Sequence, residues 1–225
     1  MSRLPRPWLC LISNRSLVAP DAPTLHAELA ALERWLGEAL DADLDVIQIR
    51  ERDLDARTLV ELVRRVVARR GARRARILVN DRADVALAAG ADGVHLRADG
   101  PPVPDVRALS DTAWIVGRSV HTLDEIQTHA TADYLLFGTV FAGGSKGDAA
   151  LAQGLDALTR ATKASAVPIL AIGGMTPERS AAVIARGAAG VAAIGVFLPP
   201  GRHPSALGPG RAAAAFRAAL DQVRS

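Results

Sequence analysis

The stretch Trp114-Ile-Val-Gly-Arg-Ser-Val-His121 decides how the chain is read. It is an apolar run that continues to Ser119 and reaches a histidine, which predicts a buried strand over residues 114–119 with a titratable side chain just past its carboxyl end. In a parallel βα barrel that end of each strand opens onto the catalytic mouth. An imidazole with an ordinary pKa near ~6.5 takes and returns a proton around neutral pH, whereas the Ser119 hydroxyl beside it hydrogen-bonds or aligns a ligand. The question is then whether the remaining sequence builds a barrel.

Short runs of branched apolar residues recur on both sides of this stretch. They predict strands over residues 8–13, 45–50, 76–80, 93–96, 134–140, 168–172 and 190–195, which with 114–119 makes eight. Between them lie amphipathic Ala/Arg/Leu-rich segments, predicting helices over 23–40, 56–70, 82–89, 103–109, 123–129, 155–164, 177–186 and 204–223. Strands apolar on both faces suit a parallel sheet buried under helices. An open doubly wound sheet is the competing arrangement. Eight comparable units, no long insertion and no dinucleotide-binding glycine pattern after the first strand favour closure into a single (β/α)8 TIM barrel, one domain over residues 1–225. The similar runs Gly90-Ala-Asp-Gly93 and Gly187-Ala-Ala-Gly190 read as helix C-caps leading into strands.

Composition narrows the function classes. Cys10 is the one cysteine, so no intramolecular disulfide forms, and its apolar setting predicts a core thiol rather than a nucleophile. The apolar run behind Arg3 and Arg6 is too short for a signal-peptide core and no segment is long enough for a membrane span, which predicts a cytoplasmic protein without membrane contact. The net charge of +3 comes from scattered arginines. Their one dense group, Arg64 to Arg74, reads as a solvated helix face. With eight aromatic residues and none interleaved there, nucleic acid is not an expected partner. Phosphorylated small molecules match scattered arginine and glycine-rich loops better.

The predicted strand ends supply the candidate site. Gln48 and Arg50 alternate along one strand and share a face, with Arg52 beyond it. They offer an amide and guanidinium for a planar ring, carboxylate or phosphate, although Arg50 in an internal ion pair is the competing reading. Asn80-Asp81 supplies either a carboxylate for a divalent cation or a helix N-cap. The Ala142-Gly-Gly-Ser-Lys-Gly147 loop combines glycine with the Ser145 hydroxyl and Lys146 cation, as a lid over an anion would. Gly173-Gly174 and Ile194-Gly195 follow the last two strands, where backbone amides of this fold often cup a phosphate.

Taken together, Ile49-Arg-Glu-Arg52, Val79-Asn-Asp-Arg82, Gly90-Ala-Asp-Gly-Val-His-Leu96, Gly117-Arg-Ser-Val-His121, Ala132-Asp-Tyr-Leu-Leu-Phe-Gly138 and Ala171-Ile-Gly-Gly-Met-Thr-Pro177 make the chain resemble the thiamine phosphate synthase/TenI superfamily over nearly its whole length. The resemblance implies a barrel acting in thiamine biosynthesis on a thiazole phosphate held by its last two loops. It carries two chemistries. The synthases join a pyrimidine pyrophosphate to the thiazole phosphate in a dissociative step that needs Mg²⁺ and cationic clamps. Gln48, Arg50, Asn80, Asp81, His95, Ser119, Ser145 and Lys146 fall on that pattern. The TenI-like tautomerases instead move a proton to aromatise a thiazole carboxylate phosphate, without a metal.

Where the synthase pattern has His-Leu-Gly-Gln and two acids, this chain reads His95-Leu-Arg-Ala-Asp-Gly100. Gly100 replaces the second, metal-binding acid, and Arg97 replaces a glycine. Arg52 stands where the synthases usually carry lysine, and Arg118-Ser-Val-His121 covers the tautomerase histidine. The resulting expectation is a thiazole tautomerase without a cofactor. In it, His121 shuttles the proton and Arg50 orients the substrate carboxylate. Gln48, Arg52, Asn80, Ser119, Ser145 and Lys146 complete the substrate site, and the backbone at Gly173, Gly174, Ile194 and Gly195 binds phosphate. The alternative is a thiamine phosphate synthase with Mg²⁺ on Asp81. A second alternative is a non-catalytic regulator that binds thiazole or thiamine phosphates. The expected partner is a small-molecule thiazole phosphate, and a homo-oligomer is compatible with the sequence.

Overall fold

A computed structural model of the chain describes residues 7–110, 113–143 and 152–222. Eight parallel strands close on themselves in sequence order. They are β1 (Trp8–Ile12), β2 (Val46–Ile49), β3 (Arg76–Asn80), β4 (Gly93–Leu96), β5 (Ile115–Val120), β6 (Tyr134–Gly138), β7 (Ile169–Ile172) and β8 (Gly190–Ala193). The seam is the pairing of Cys10 with Ala192 and of Leu11 with Ala193, which joins the first strand to the last. The expected (β/α)8 TIM barrel is therefore the fold.

The connecting helices are α1 (Arg15–Val18), α2 (Leu25–Asp41), α3 (Ala56–Arg70), α4 (Ala83–Ala89), α5 (Val103–Arg107), α6 (Leu123–Thr128), α7 (Gly154–Ala164), α8 (Pro177–Ala185) and α9 (Pro209–Gln222). Two differ from expectation. The short α1 adds a second helix after β1, capped by the Asn14 side chain on Leu17 N–H. The last helix starts five residues late, because residues 198–208 form turns punctuated by Pro199, Pro200, Gly201 and Gly208 before Pro209 begins the helix. As expected, Gly90 and Gly187 end α4 and α8 with positive φ of 70° and 89°.

Alternation along the strands separates two cores. Cys10, Ile12, Val46, Leu78, Tyr134, Leu136, Leu170 and Ala192 fill the barrel interior. Their neighbours Leu9, Leu11, Ile47, Ile49, Val79 and Val94 face the helices and are fully buried. Cys10 is thus a core thiol, and burial pushes its pKa up, away from reactivity.

The closed end of the barrel has its own pattern. Asp45, Asp92 and Asp133, each just before an even-numbered strand, accept the N–H of Leu9, Ile77 and Val116 at 2.9, 2.8 and 2.7 Å. Arg217, Arg70 and Arg107 balance the three carboxylates at 2.5, 2.5 and 3.0 Å. Within the Arg64 to Arg74 group, Arg65 pairs with Glu33 on α2 and Arg73 with Asp41. These side chains are about half exposed, so the pairs tie neighbouring helices together at modest energy, on the order of ~0.2–1 kcal/mol each.

Candidate functional site

A pocket of about 410 Å³ opens at the carboxyl ends of the strands. Gln48, Arg50, Arg52, Asn80, Ser119, His121 and Ile194 all line it, so residues far apart in sequence meet there, whereas Asp81, Gly173, Gly174 and Gly195 are not among its lining residues. His95, Arg97, Asp99 and Thr139 also line it. Ser145 and Lys146 lie outside the described residues.

Its floor is polar and tightly specified. His95 is 1% exposed, with Nδ1 2.9 Å from the Tyr134 hydroxyl and Nε2 2.9 Å from Ser119 Oγ. Burial, reinforced by Arg118 and Arg50, pushes the imidazole pKa down to about 3, so the ring is neutral and serves as a fixed hydrogen-bonding post. Tyr134 reaches it because β5 carries glycine opposite: a Cβ on Gly117 would stand 2.2 Å from the Tyr134 ring. Beside this pair, Gln48 donates from Nε2 to Asn80 Oδ1 at 2.8 Å, and Asn80 Nδ2 donates to Asp81 Oδ2 at 3.0 Å. Gln48 Oε1 is buried without a partner among the described residues. Such an oxygen calls for a donor from whatever fills the pocket.

The cationic wall comes from the loop after β2. Arg50 N–H donates to Ser13 Oγ at 2.9 Å, and Ser13 donates to the buried Glu51 carboxylate at 2.5 Å. Glu51 also accepts Arg15 N–H at 3.0 Å. Burial pushes the Glu51 pKa up, while Ser13 and Arg15 oppose that shift. This clamp fixes the backbone between Arg50 and Arg52. Burial first and Arg52 second lower the Arg50 pKa, a cost that an anionic ligand would offset. The expected alternative of an internal ion pair for Arg50 is not formed among the described residues.

Asp81 has a φ of 60°, unusual for a residue other than glycine. Its Oδ1 accepts Arg97 N–H at 2.8 Å. Arg97 Nε lies 3.1 Å from Asp99 and 3.7 Å from Asp81, so one guanidinium bridges two carboxylates. The turn that does this is closed by Gly100 N–H on Arg97 O at 3.1 Å. Gly100 thus removes one acid, but the turn carries Asp99 into the pocket. The loop is held from below by Arg118, which donates to the carbonyls of Ala98, Gly100 and Pro101 at 2.8, 2.7 and 2.6 Å. Sequence reasoning gave Arg118 no role. Its signal was a charged residue in the otherwise apolar outward row Val116, Arg118, Val120.

His121 stands at the rim. Its Nδ1 is 2.7 Å from the Gly138 carbonyl, which only accepts, so Nδ1 carries a proton and donates it there. The glycine loops follow Ile172 at the end of β7 and Ile194 just past the end of β8, both of which line the pocket. Gly174, at φ 57°, has no room for a side chain: a Cβ would lie 2.5 Å from Ala142 O and 2.7 Å from Phe141 O. Gly195 begins a 3-10 turn to Phe197 directly after the pocket-lining Ile194.

Divalent-cation chemistry can be judged from the donors present. Among the described residues no group of three or more His, Cys, Asp or Glu forms a self-sufficient metal site. Asp81 and Asp99 around a bridging cation fit an ion that takes one or two carboxylates and completes its shell with substrate oxygens, as Mg²⁺ does.

Comparison with known proteins bears on the expected chemistries. The chain is 43% identical over 162 residues to the thiamine-phosphate synthase of Moorella thermoacetica, covering 71% of this chain and 77% of the relative. It is 40% identical over 189 residues to that of Anaeromyxobacter dehalogenans, covering 83% and 82%. A solved thiamine phosphate pyrophosphorylase from Pyrococcus furiosus superposes with a TM-score of 0.78 at 27% identity, over 97% of this chain and 98% of that one. These relatives overturn the tautomerase expectation, and with it the isomerase class and His121 as proton shuttle. The departures at Arg97 and Gly100 had weighed against the synthase, yet the folded turn retains two carboxylates. No helix among the described residues is long and apolar enough to cross a membrane. The profile described as thiamine monophosphate synthase matches residues 17–197, and the chain belongs to that family.

Proposed function

We propose that this chain is a thiamine-phosphate synthase, a single barrel domain that couples a hydroxymethylpyrimidine pyrophosphate to a thiazole phosphate. The observation that carries the reading is the convergence of Arg50, Arg52 and Arg97 with Asp99 on one pocket, beside Asp81. Three guanidinium groups suit a leaving diphosphate, whose charge grows as the bond from the pyrimidine methylene carbon to oxygen breaks. The thiazole nitrogen then forms the new carbon–nitrogen bond, and pyrophosphate departs. No proton is abstracted in that exchange, so it makes no demand on His121 as a base.

The remaining side chains divide the work. Gln48 Oε1 accepts from the amino group of the pyrimidine, which supplies the missing partner of a buried acceptor. His95 holds the Ser119 hydroxyl against the same ring. Gly173, Gly174 and Gly195 take the thiazole phosphate on backbone amides, with Ile194 alongside. Mg²⁺, held by Asp81 and Asp99, supplies charge neutralisation to the diphosphate when bound. The test is whether the purified protein forms thiamine phosphate from the two substrates and releases one pyrophosphate for each product.

A further inference from the structure

Arg97 stands in a contradictory position for a pocket residue. Its guanidinium is tied to Asp81 and Asp99, the two carboxylates suited to a divalent ion, while its backbone N–H fixes the orientation of Asp81. Its side chain is 61% exposed and that of Asp99 76%, so the bridge is weak and exchangeable. The same side chain lines the pocket with Arg50 and Arg52. Arg118, by contrast, holds the backbone on either side of Asp99 by three carbonyls, so the guanidinium of Arg97 can move while the loop stays.

We propose that Arg97 is a tethered cation that occupies the Asp81–Asp99 pair in the empty protein, yields it to a divalent ion, and then turns to the diphosphate as a third guanidinium. This rests on the synthase reading for the diphosphate, but its geometry is independent of turnover. Arg97 therefore acts with opposite sign on the two ligands. Before a diphosphate arrives it competes with the metal, because guanidinium and metal share the same oxygens. After metal entry it attracts the diphosphate. A loop residue that only shaped the turn would weaken both.

The experiment measures binding without catalysis, using Mn²⁺ alone and then inorganic pyrophosphate at saturating Mn²⁺, each by calorimetry. Removing a competing cation from an exposed carboxylate pair is expected to tighten Mn²⁺ binding about tenfold in Arg97→Ala. The same variant is expected to bind pyrophosphate about tenfold more weakly. Arg97→Lys retains the charge and is expected to fall between, and Asp81→Asn in the Arg97→Ala background is expected to remove the gain in Mn²⁺ affinity. Equal or weaker Mn²⁺ binding by Arg97→Ala would overturn the proposal, as would unchanged pyrophosphate affinity. Synthase activity in a protein whose Arg97 variants shift neither ligand would refute the tethered cation alone. Opposite shifts in a protein without synthase activity would support it and remove the synthase reading.

Discussion

Arg118 donates to the carbonyl of Gly100 at 2.7 Å from beneath the loop that carries Asp99. Arg118 is 2% exposed and also serves Ala98 and Pro101, so a strand residue with no atom in the pocket lining sets the shape of an acidic loop that has. Replacing it with leucine leaves those carbonyls without a charged donor. The expected loss is about 2 kcal/mol of stability, from hydrogen bonds to a charged group worth roughly ~1.5–3 kcal/mol each and partly replaced by water. Urea unfolding of Arg118→Leu gives that number. In the folded variant KM for the pyrimidine pyrophosphate rises about tenfold, equivalent to ~1.4 kcal/mol of lost binding. Unchanged KM would remove the positioning role.

His95 links stability to pH. Its pKa falls from the ordinary 6.5 to about 3 on folding, so between those values the unfolded chain binds a proton that the folded chain does not. The contribution of the neutral ring is full above pH 6.5 and is lost as pH falls toward 3. From pH 7 to pH 5 the loss due to this group is about 2 kcal/mol, by the linkage slope of ~1.4 kcal/mol per pH unit. Urea midpoints of the wild type and His95→Gln at both pH values isolate it. The wild type should lose more stability than the variant on acidification, and parallel curves would contradict the assignment.

The glycine cup predicts a selective kinetic defect. Gly174→Ala forces a methyl group against two carbonyl oxygens at a left-handed backbone position, displacing the amides nearby. KM for the thiazole phosphate is expected to rise at least about tenfold, the ~1.4 kcal/mol of a weakened anion contact, with little change for the pyrimidine pyrophosphate. Steady-state kinetics with each substrate varied in turn separates the two. Equal effects on both would indicate a general distortion of the mouth.

His121 offers the sharpest contrast with the proton-transfer expectation. A general base removed from an isomerase costs ~10²–10⁴-fold in rate. In a dissociative coupling with no proton to abstract, His121→Gln should lower kcat of thiamine phosphate formation by less than about tenfold, through lost contact at the rim alone. A hundredfold loss with intact substrate binding would restore a chemical role for the imidazole.

The barrel was legible because its strands are short, apolar on both faces and regularly separated by amphipathic segments. Their carboxyl ends then gave most of the pocket without any knowledge of register. What stayed hidden depends on contacts between elements. The His95–Tyr134 pair needs the β4–β5–β6 register and the gap at Gly117, and no local pattern signals it. The Arg118 anchor requires the path of the loop after β4. The choice of chemistry failed at that same loop, since counting positions from His95 treats Gly100 as a lost acid. In the folded turn Asp99 faces the pocket, and Arg97 couples it to Asp81.

The most direct measurement is thiamine phosphate formation by the purified protein from hydroxymethylpyrimidine pyrophosphate and aromatic thiazole phosphate, with Mg²⁺ and with a chelator. The predicted result is product in Mg²⁺, none with the chelator, recovery when Mg²⁺ is restored, and loss of at least about a hundredfold in Asp81→Ala, the scale of removing one electrostatic stabiliser of developing charge. Absence of product beside an active synthase control, or formation indifferent to Mg²⁺ and to Asp81, would contradict the account.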